Sequence, residues 1–331
     1  VIATRLPRSY DADLLVRDLD GLLSLPQAPQ PGPYHDGDWT GLDLYAQAGA
    51  DPGRPHPHLW PFAPTPALDH APYLAQLLSD LDSPKLMVRL LTLPPGSDIG
   101  EHNDAGSNFQ FGSLRLHVPI VTHPDVVMVI GGERMTWRPG ELWWGDFSRK
   151  HWLRNDSAVT RVHLVIDVQV DDFILGLFPA ELVAAKRAVG VGVSSYRPPL
   201  PTSPAELAGY ACAFRLPAPL MPLFGHGAGL RELAHEATAE CRPDGGRLVV
   251  TLDGTPAFAL ERTGDRVFSV VGQPPGVFVE FAAADRPDRA EIVVRGVPED
   301  LYAAQLGFQQ GPVIPEQRFG VQLTPVTADA R

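Results

Sequence analysis

Lys85-Leu86-Met87-Val88-Arg89-Leu90-Leu91-Thr92-Leu93, followed by Pro94-Pro95-Gly96, is where the hydrophobic period of the chain changes to two. It reads as a strand ended by a turn. Short runs of the same kind follow at Ser113–Val121, Val126–Gly131, Arg134–Trp137, Glu141–Phe147, His151–Arg154 and Thr160–Val170. Gly131-Gly132, Pro139-Gly140 and Asn155-Asp156-Ser157 supply turns between them. About seven short strands at this spacing predict a compact antiparallel barrel or sandwich.

Outward from this block the pattern differs. Residues 10–24 and Pro66–Leu81 carry apolar residues at helical spacing, with Leu74, Leu77 and Leu78 on one face of the second helix. Residues 26–64 are rich in Pro, Gly, Asp and His and read as a long loop, in which His35, Asp36, Trp39 and Trp60 are candidates for a lid. Residues 171–187 read as a closing helix. Gly190–Pro204 reads as a linker. Helices are expected over about 204–214 and 228–240, then strands over 247–252, 256–262, 266–271, 277–283 and 290–295. The expected organisation is a mainly β domain over 1–188 with its core at 85–170, a linker over 189–204, and a smaller α+β domain over 205–331.

The chain has 331 residues, a 44% apolar fraction and a formal net charge of -12. That composition supports a packed core and disfavours nucleic acid or an anionic membrane as partners. A small anionic ligand needs only a local basic pocket. Two cysteines, Cys212 and Cys241, exclude a disulfide scaffold and are expected as thiols in a reducing cytoplasm. Val1–Pro7 shows no signal-peptide core, which adds to a cytoplasmic expectation. The Pro-, Gly-, Ala- and Arg-rich composition, poor in Lys, points to a bacterial source of high GC content.

The chemistry concentrates at His102-Asn103-Asp104, His151 and Arg161. His102 and Asp104 lie two apart after a turn and a short strand, so both reach one face. His151 begins a later strand of the same scaffold. Two imidazoles and a carboxylate on one face of a metal, with the opposite positions open, suit non-haem Fe(II). Arg161, ten residues beyond His151, offers a planar cation for a carboxylate.

These residues sit in motifs that resemble the aspartyl/asparaginyl β-hydroxylase family. The resemblance rests on Val88 to Ile99 with His102-Asn103-Asp104, on Arg115-Leu116-His117-Val118-Pro119-Ile120-Val121-Thr122, and on Pro139-Gly140-Glu141-Leu142-Trp143 with Asp146. It continues through His151, Asn155 and Arg161-Val162-His163-Leu164-Val165-Ile166-Asp167. It covers about residues 85–170. It implies a double-stranded β-helix, or jelly-roll, with Fe(II), 2-oxoglutarate and O2. His102, Asp104 and His151 would be the metal ligands. Arg161 would meet the distal carboxylate of 2-oxoglutarate, and Arg115 and His117 would touch the co-substrate. Asp104 is present here, whereas the family's animal peptidyl hydroxylases lack the carboxylate, so the resemblance is to the bacterial, proline-hydroxylase-like branch. Leu91 stands where those animal enzymes carry a serine.

Arg89 and Trp144 are the substrate-contact candidates. The function expected is hydroxylation of an unactivated C–H of an amino acid, free, peptidyl or carrier-bound, in bacterial natural-product biosynthesis. Desaturation or epoxidation by the same centre is an alternative, as is a non-catalytic metal-binding jelly-roll. Expected partners are the amino-acid or peptide substrate, a leader peptide or carrier protein at the C-terminal domain, and a second copy in a homodimer.

Overall fold

The computed structural model describes the chain except residues 31–34, 36–37, 48–60, 105–106, 111, 190–198, 222–235, 272–276, 284–286, 299–312 and 327–331. The chain divides into two compact units, Val1–Ala46 with Phe62–Val191, and Gln47–Pro61 with Gly192–Arg331. The elements of the first unit are β1 (Ala3–Ser9), α1 (Ala12–Leu22), β2 (Ala28–Pro29), β3 (Thr40–Gln47) and β4 (Phe62–Pro64). After a 3-10 turn come α2 (Pro72–Asp80), β5 (Lys85–Leu93), β6 (Asp98–His102) and β7 (Ser113–Val121). Then follow β8 (Val126–Ile130), β9 (Glu133–Met135), β10 (Glu141–Gly145), β11 (His151–Asn155) and β12 (Arg161–Gln169). The unit ends with α3 (Asp172–Leu175) and α4 (Ala180–Val189).

Two antiparallel sheets build the jelly-roll. The larger runs β1-β10-β7-β12-β5-β3-β2, with β4 paired to β3, and the smaller runs β6-β11-β8-β9. Side chains alternate across a strand, so each strand of the larger sheet serves two faces. Val88, Leu90, Leu116, Val118, Leu164 and Ile166 bury themselves with Leu15, Leu19 and Leu22 of α1 and Leu74, Leu77 and Leu78 of α2. Burial of each such side chain stabilises by about 1.5–3 kcal/mol. The opposite parity carries Arg89 and Leu91 on β5, Arg115 and His117 on β7, and Arg161, His163, Val165 and Asp167 on β12. The ladders place Arg89 and His117 beside Val165, and Arg115 beside Asp167. A second, smaller core of Leu93, Ile99, Met128, Ile130, Trp137, Phe147 and Leu153 draws on both sheets. The inner face therefore combines a short apolar core with a row of ionisable groups.

Local chemistry fixes the helices on the outer face. Asp11 caps α1 by accepting from the backbone N–H of Asp13 and Leu14 at 3.0 and 3.1 Å. Ala71 cannot cap α2 with its side chain. Buried Asp18 of α1 does so from outside, accepting from the N–H of Tyr73 and Leu74 at 2.7 and 2.9 Å. The helix expected over Pro66–Leu81 is thus two pieces, a 3-10 turn at Pro66–His70 and α2, because Pro72 lacks the N–H that would continue the first. The closing helix likewise splits into α3 and α4, with Gly176 and Pro179 between them. Four strands of this unit went unforeseen. β1 pairs with β10, and inside the stretch read as loop β3 pairs with β5 and also with β2 and β4.

The second unit starts with α5 (Pro204–Ala208), opened by a capping box of Ser203 and Glu206. Its strands are β13 (Cys212–Leu216), β14 (Ala237–Asp244), β15 (Arg247–Leu252), β16 (Thr255–Arg262), β17 (Val267–Val270), β18 (Val277–Phe281), β19 (Arg289–Pro298), β20 (Val313–Gln322) and β21 (Thr324–Pro325). They form one nine-stranded antiparallel sheet in which β13 to β20 pair in chain order and β21 returns to β13. Cys212–Leu216 and Ala237–Asp244 are strands where the sequence predicted the ends of two helices. In both, buried residues alternate with more exposed ones, the period of a half-buried strand. Cys212 and Cys241 are free, buried and directly opposite each other on β13 and β14. Among the described residues, no helix is long and apolar enough to cross a membrane.

Candidate metal centre

Strand pairing brings the first two candidate ligands together. His102 ends β6 and its register partner is His151, the first residue of β11. Their ring centroids are 4.1 Å apart. Asp104 lies beyond the strand, pinned by its backbone N–H donating to the Phe147 carbonyl at 2.8 Å. One ligand atom from each of His102, Asp104 and His151 lies within 4.8 Å of the others. The Asp104 Oδ2 to His151 Nε2 separation is 3.8 Å.

The backbone also sets the tautomers. His102 Nδ1 is 2.8 Å from the Gly100 carbonyl and His151 Nδ1 is 2.9 Å from the Arg149 carbonyl. A carbonyl only accepts, so each Nδ1 carries the proton and each Nε2 keeps a lone pair for a metal. Burial, with the His102 ring beside it, holds the His151 imidazole down to about 4 against the opposing pull of Asp104. It is therefore neutral at physiological pH, as ligation requires. Burial works against the Asp104 charge, but the summed fields of Arg115, His151, His102 and Arg89 hold its carboxyl below the ordinary range. This donor set, two neutral imidazoles and one carboxylate, fits Fe(II).

Arg115 is the clasp of the site. Its Nη1 donates to Asp104 Oδ2, while Nε and Nη2 donate to the two oxygens of Asp167 at 2.7 and 3.0 Å. Sequence reasoning gave Arg115 to the co-substrate. The structure places its donors on two carboxylates, one of them a candidate ligand, so its first task is to aim Asp104. Asp167 was quoted as part of a motif but not assigned a role. The signal for it was its parity on β12, opposite Arg115.

Arg161 is only 2% exposed, and among the described residues no carboxylate pairs with it. Its Nη2 donates to His163 Nδ1 at 2.7 Å and its Nε has no partner. Burial alone pulls its guanidinium down to about 9. His163 Nδ1 must be the acceptor in that bond, which leaves the proton on Nε2, a buried donor without a partner. His117, 3.4 Å from His163 through the Nδ1 atoms, stacks on Phe147 with ring centroids 4.7 Å apart. Its Nε2 is also buried without a partner. Burial, followed by the field of Arg161, holds both imidazoles well below their ordinary range. A small cavity of about 50 Å³ joins the three candidate ligands to Arg161, with Arg115, His117 and Leu91 also in its wall. A buried cation without a counter-charge among the described residues, next to buried polar atoms without partners, offers an anion both charge and hydrogen bonds.

The remaining candidates divide. Arg89 shares the inner face, donates from Nη1 to Gln30 Oε1 at 2.7 Å and lies 3.9 Å from Asp167, with its Nε buried and unpartnered. It is outside the wall of the small cavity. Trp144 is a correction. It is 0% exposed in the helix-side core, edge-on to Phe109 and Phe178. One residue along β10, the parity reverses, and Trp143 stacks on Trp137 on the inner side with centroids 5.5 Å apart. Of the lid candidates, Trp39 lines the small cavity and packs edge-on against His35, whose bridge to Ile99 ties it to β6. Asp36 and Trp60 lie outside the described residues.

Residues 14–170 match the aspartyl/asparaginyl beta-hydroxylase family. No curated protein matches the chain. Among solved structures, the chain is similar to an oxidoreductase of the 2OG-Fe(II) oxygenase family from Burkholderia pseudomallei. Identity is 19%, coverage 50% of this chain and 84% of that one, and the TM-score 0.36. A prolyl-4-hydroxylase from Pseudomonas putida matches at 15% identity over 50% of this chain and 91% of that one, with a TM-score of 0.33. A non-heme alpha ketoglutarate dependent carbocyclase from nogalamycin biosynthesis matches at 11% identity over 51% and 80%, with a TM-score of 0.36.

Proposed function

We propose, since residues 14–170 match the aspartyl/asparaginyl β-hydroxylase family, that the chain is an Fe(II)- and 2-oxoglutarate-dependent dioxygenase that hydroxylates an unactivated C–H of an amino acid. The amino acid is free, peptidyl or carrier-bound, and the setting is bacterial natural-product biosynthesis. The observation that carries this reading is one cavity with three ligand atoms within 4.8 Å of one another and, in the same wall, a buried arginine lacking a carboxylate partner.

In this reading His102, Asp104 and His151 hold the metal and Arg161 receives the distal carboxylate of 2-oxoglutarate. Bound Fe(II) supplies O2 activation coupled to oxidation of the co-substrate. The residues of the chain do the rest. Gly100 and Arg149 carbonyls fix the imidazole tautomers. Arg115, steadied by Asp167, orients the carboxylate ligand. Leu91, Phe147 and Leu153 keep the cavity wall apolar, which strengthens every charge interaction inside it. Arg89, with its unpartnered Nε on the same face, is the residue assigned to a substrate carboxylate.

The test is anaerobic addition of Fe(II) and 2-oxoglutarate, read as a visible charge-transfer band. Aerobic incubation with amino acids and short peptides then follows, read by mass spectrometry as succinate release and gain of one oxygen. Absence of both the band and succinate would reduce the chain to a non-catalytic metal-binding jelly-roll.

A further inference from the structure

The chain has two cysteines, and both fall on one rung of the second unit's sheet. Cys212 opens β13, and its register partner on β14 is Cys241. Residues directly opposite each other on an antiparallel pair point to the same face. Here that face is the buried one: Phe214, Leu216, Ala237 and Ala239 share its parity and are buried too. The rung continues to Pro325 on β21 and Val250 on β15. Neither of these neighbours carries a polar side chain, so on this rung each sulfur has the other as its chemical partner.

Register sets the reach. Directly opposed α-carbons of antiparallel strands lie about 4.5–5.5 Å apart. A disulfide needs roughly 4.4–6.8 Å. The thiols already touch, with Cys241 donating a hydrogen bond to Cys212. That bond holds the Cys212 thiol below its usual range, and the same bond, with burial, pushes Cys241 up. Cys212 is therefore the nucleophile of the pair. A metal does not account for them, because among the described residues the one cluster of three metal-ligating side chains is His102, Asp104 and His151. Bulky oxidants are excluded, since Cys212 is 4% exposed and Cys241 0%. Hydrogen peroxide, little larger than water, is the class of oxidant that fits.

We propose that Cys212 and Cys241 form a reversible cross-strand disulfide when the chain meets hydrogen peroxide, latching β13 to β14. The Cys212 sulfur attacks one peroxide oxygen. The O–O bond breaks, the other oxygen leaves with the Cys212 proton as water, and Cys212 becomes a sulfenic acid. The Cys241 sulfur then attacks Cys212. The S–S bond forms, the S–O bond breaks, and the hydroxyl leaves with the Cys241 proton as a second water. Two thiols together lose two electrons, and the peroxide gains them. A thiol reductant reverses the latch by exchange. The bond closes the chain from 212 to 241 into a loop, which restrains the unfolded state.

Treatment of the full, metal-free chain with hydrogen peroxide tests this, with thiols counted in denaturant and the intact mass measured. The expected result is loss of both thiols, a mass lower by two hydrogens, and a non-reduced peptide pair joining Cys212 to Cys241, all reversed by dithiothreitol. The oxidised chain should unfold at a urea concentration about 0.5 M or more above that of the reduced chain. Cys241→Ser keeps a hydrogen-bond donor beside Cys212 but removes the resolving thiol, so its oxidation should stop at added oxygen on Cys212. Two surviving thiols, added oxygen without an S–S bond in the unsubstituted chain, a disulfide between chains, a urea midpoint that does not rise, or an inert Cys212 in Cys241→Ser would each overturn the proposal.

Discussion

Charges in the two units are handled in opposite ways. On the second unit, Arg318 bonds Glu280, Glu291 and Glu316 at 2.6–2.7 Å, and Arg295 bonds Glu316 at 2.7 Å. Each of these partners is a third or more exposed and sits on neighbouring strands β18, β19 and β20. On the inner face of the jelly-roll, Arg161, His117 and His163 are buried and keep atoms without partners. The first arrangement is self-sufficient, and surface pairs of this kind stabilise by at most about 1 kcal/mol. The second carries a standing cost, which a bound anion would offset.

Substitutions can break that contrast. The largest effect is expected at His151: H151A should abolish metal-dependent 2-oxoglutarate turnover, well beyond the ~10–100-fold that loss of a supporting partner costs. Metal content after loading and succinate release check it. Next, R161L should weaken 2-oxoglutarate about 30-fold or more, since a buried charged partner is removed. The same substitution should hold or raise the melting temperature, because a buried cation without a counter-charge is relieved. A large loss of stability in R161L would mean that Arg161 is structural and that the contrast is misread.

Asp167 sharpens the picture within the first unit. D167N loosens Arg115 and through it Asp104, and should lower Fe(II) affinity about 10–100-fold while leaving the fold intact. A metal titration followed by the charge-transfer band separates this from a change in 2-oxoglutarate affinity.

The imidazoles give a smaller, pH-dependent effect. His117 and His163 are held neutral in the folded chain, while in the unfolded chain they take up protons below about pH 6.5. The unfolded state binds more protons there, so this contribution is complete above about pH 6.5 and is lost as pH falls. The loss is on the order of 1 kcal/mol per group by pH ~5.5. Melting temperatures of metal-free protein between those values should fall on acidification, and H163N should flatten the slope. The smallest effect is at the other pole: R318A should change stability by less than ~1 kcal/mol and leave turnover untouched.

How much of this the sequence showed follows from how local each signal is. The strands from Lys85 to Gln169 were legible because period-two alternation and Gly/Pro turns are written within each segment. The meeting of His102, Asp104 and His151 was legible because the residue types and the motif order carry it. Trp144 was misplaced because adjacent residues on a strand face opposite ways, and only the register of β10 on β7 says which of Trp143 and Trp144 looks inward. The clasp between Arg115 and Asp167 was invisible because it depends on cross-strand register 52 residues apart. β1 and β3 were missed for the same reason, since their partners β10 and β5 lie far along the chain. In the second unit, strands at Cys212–Leu216 and Ala237–Asp244 follow short segments with helical composition, and tertiary pairing overrode that local preference.

The three candidate ligands are not equally built in. His102 and His151 are locked to each other by one rung of the β6–β11 ladder, so neither can move without unzipping the smaller sheet. Asp104 lies outside that ladder on a loop, held by two backbone bonds, its N–H to the Phe147 carbonyl and its carbonyl from the Ser107 N–H, and by one arginine. The carboxylate is therefore the interchangeable vertex: an exchange there redraws the coordination sphere without disturbing a single strand pair, and it is the position through which this scaffold can be re-tasked.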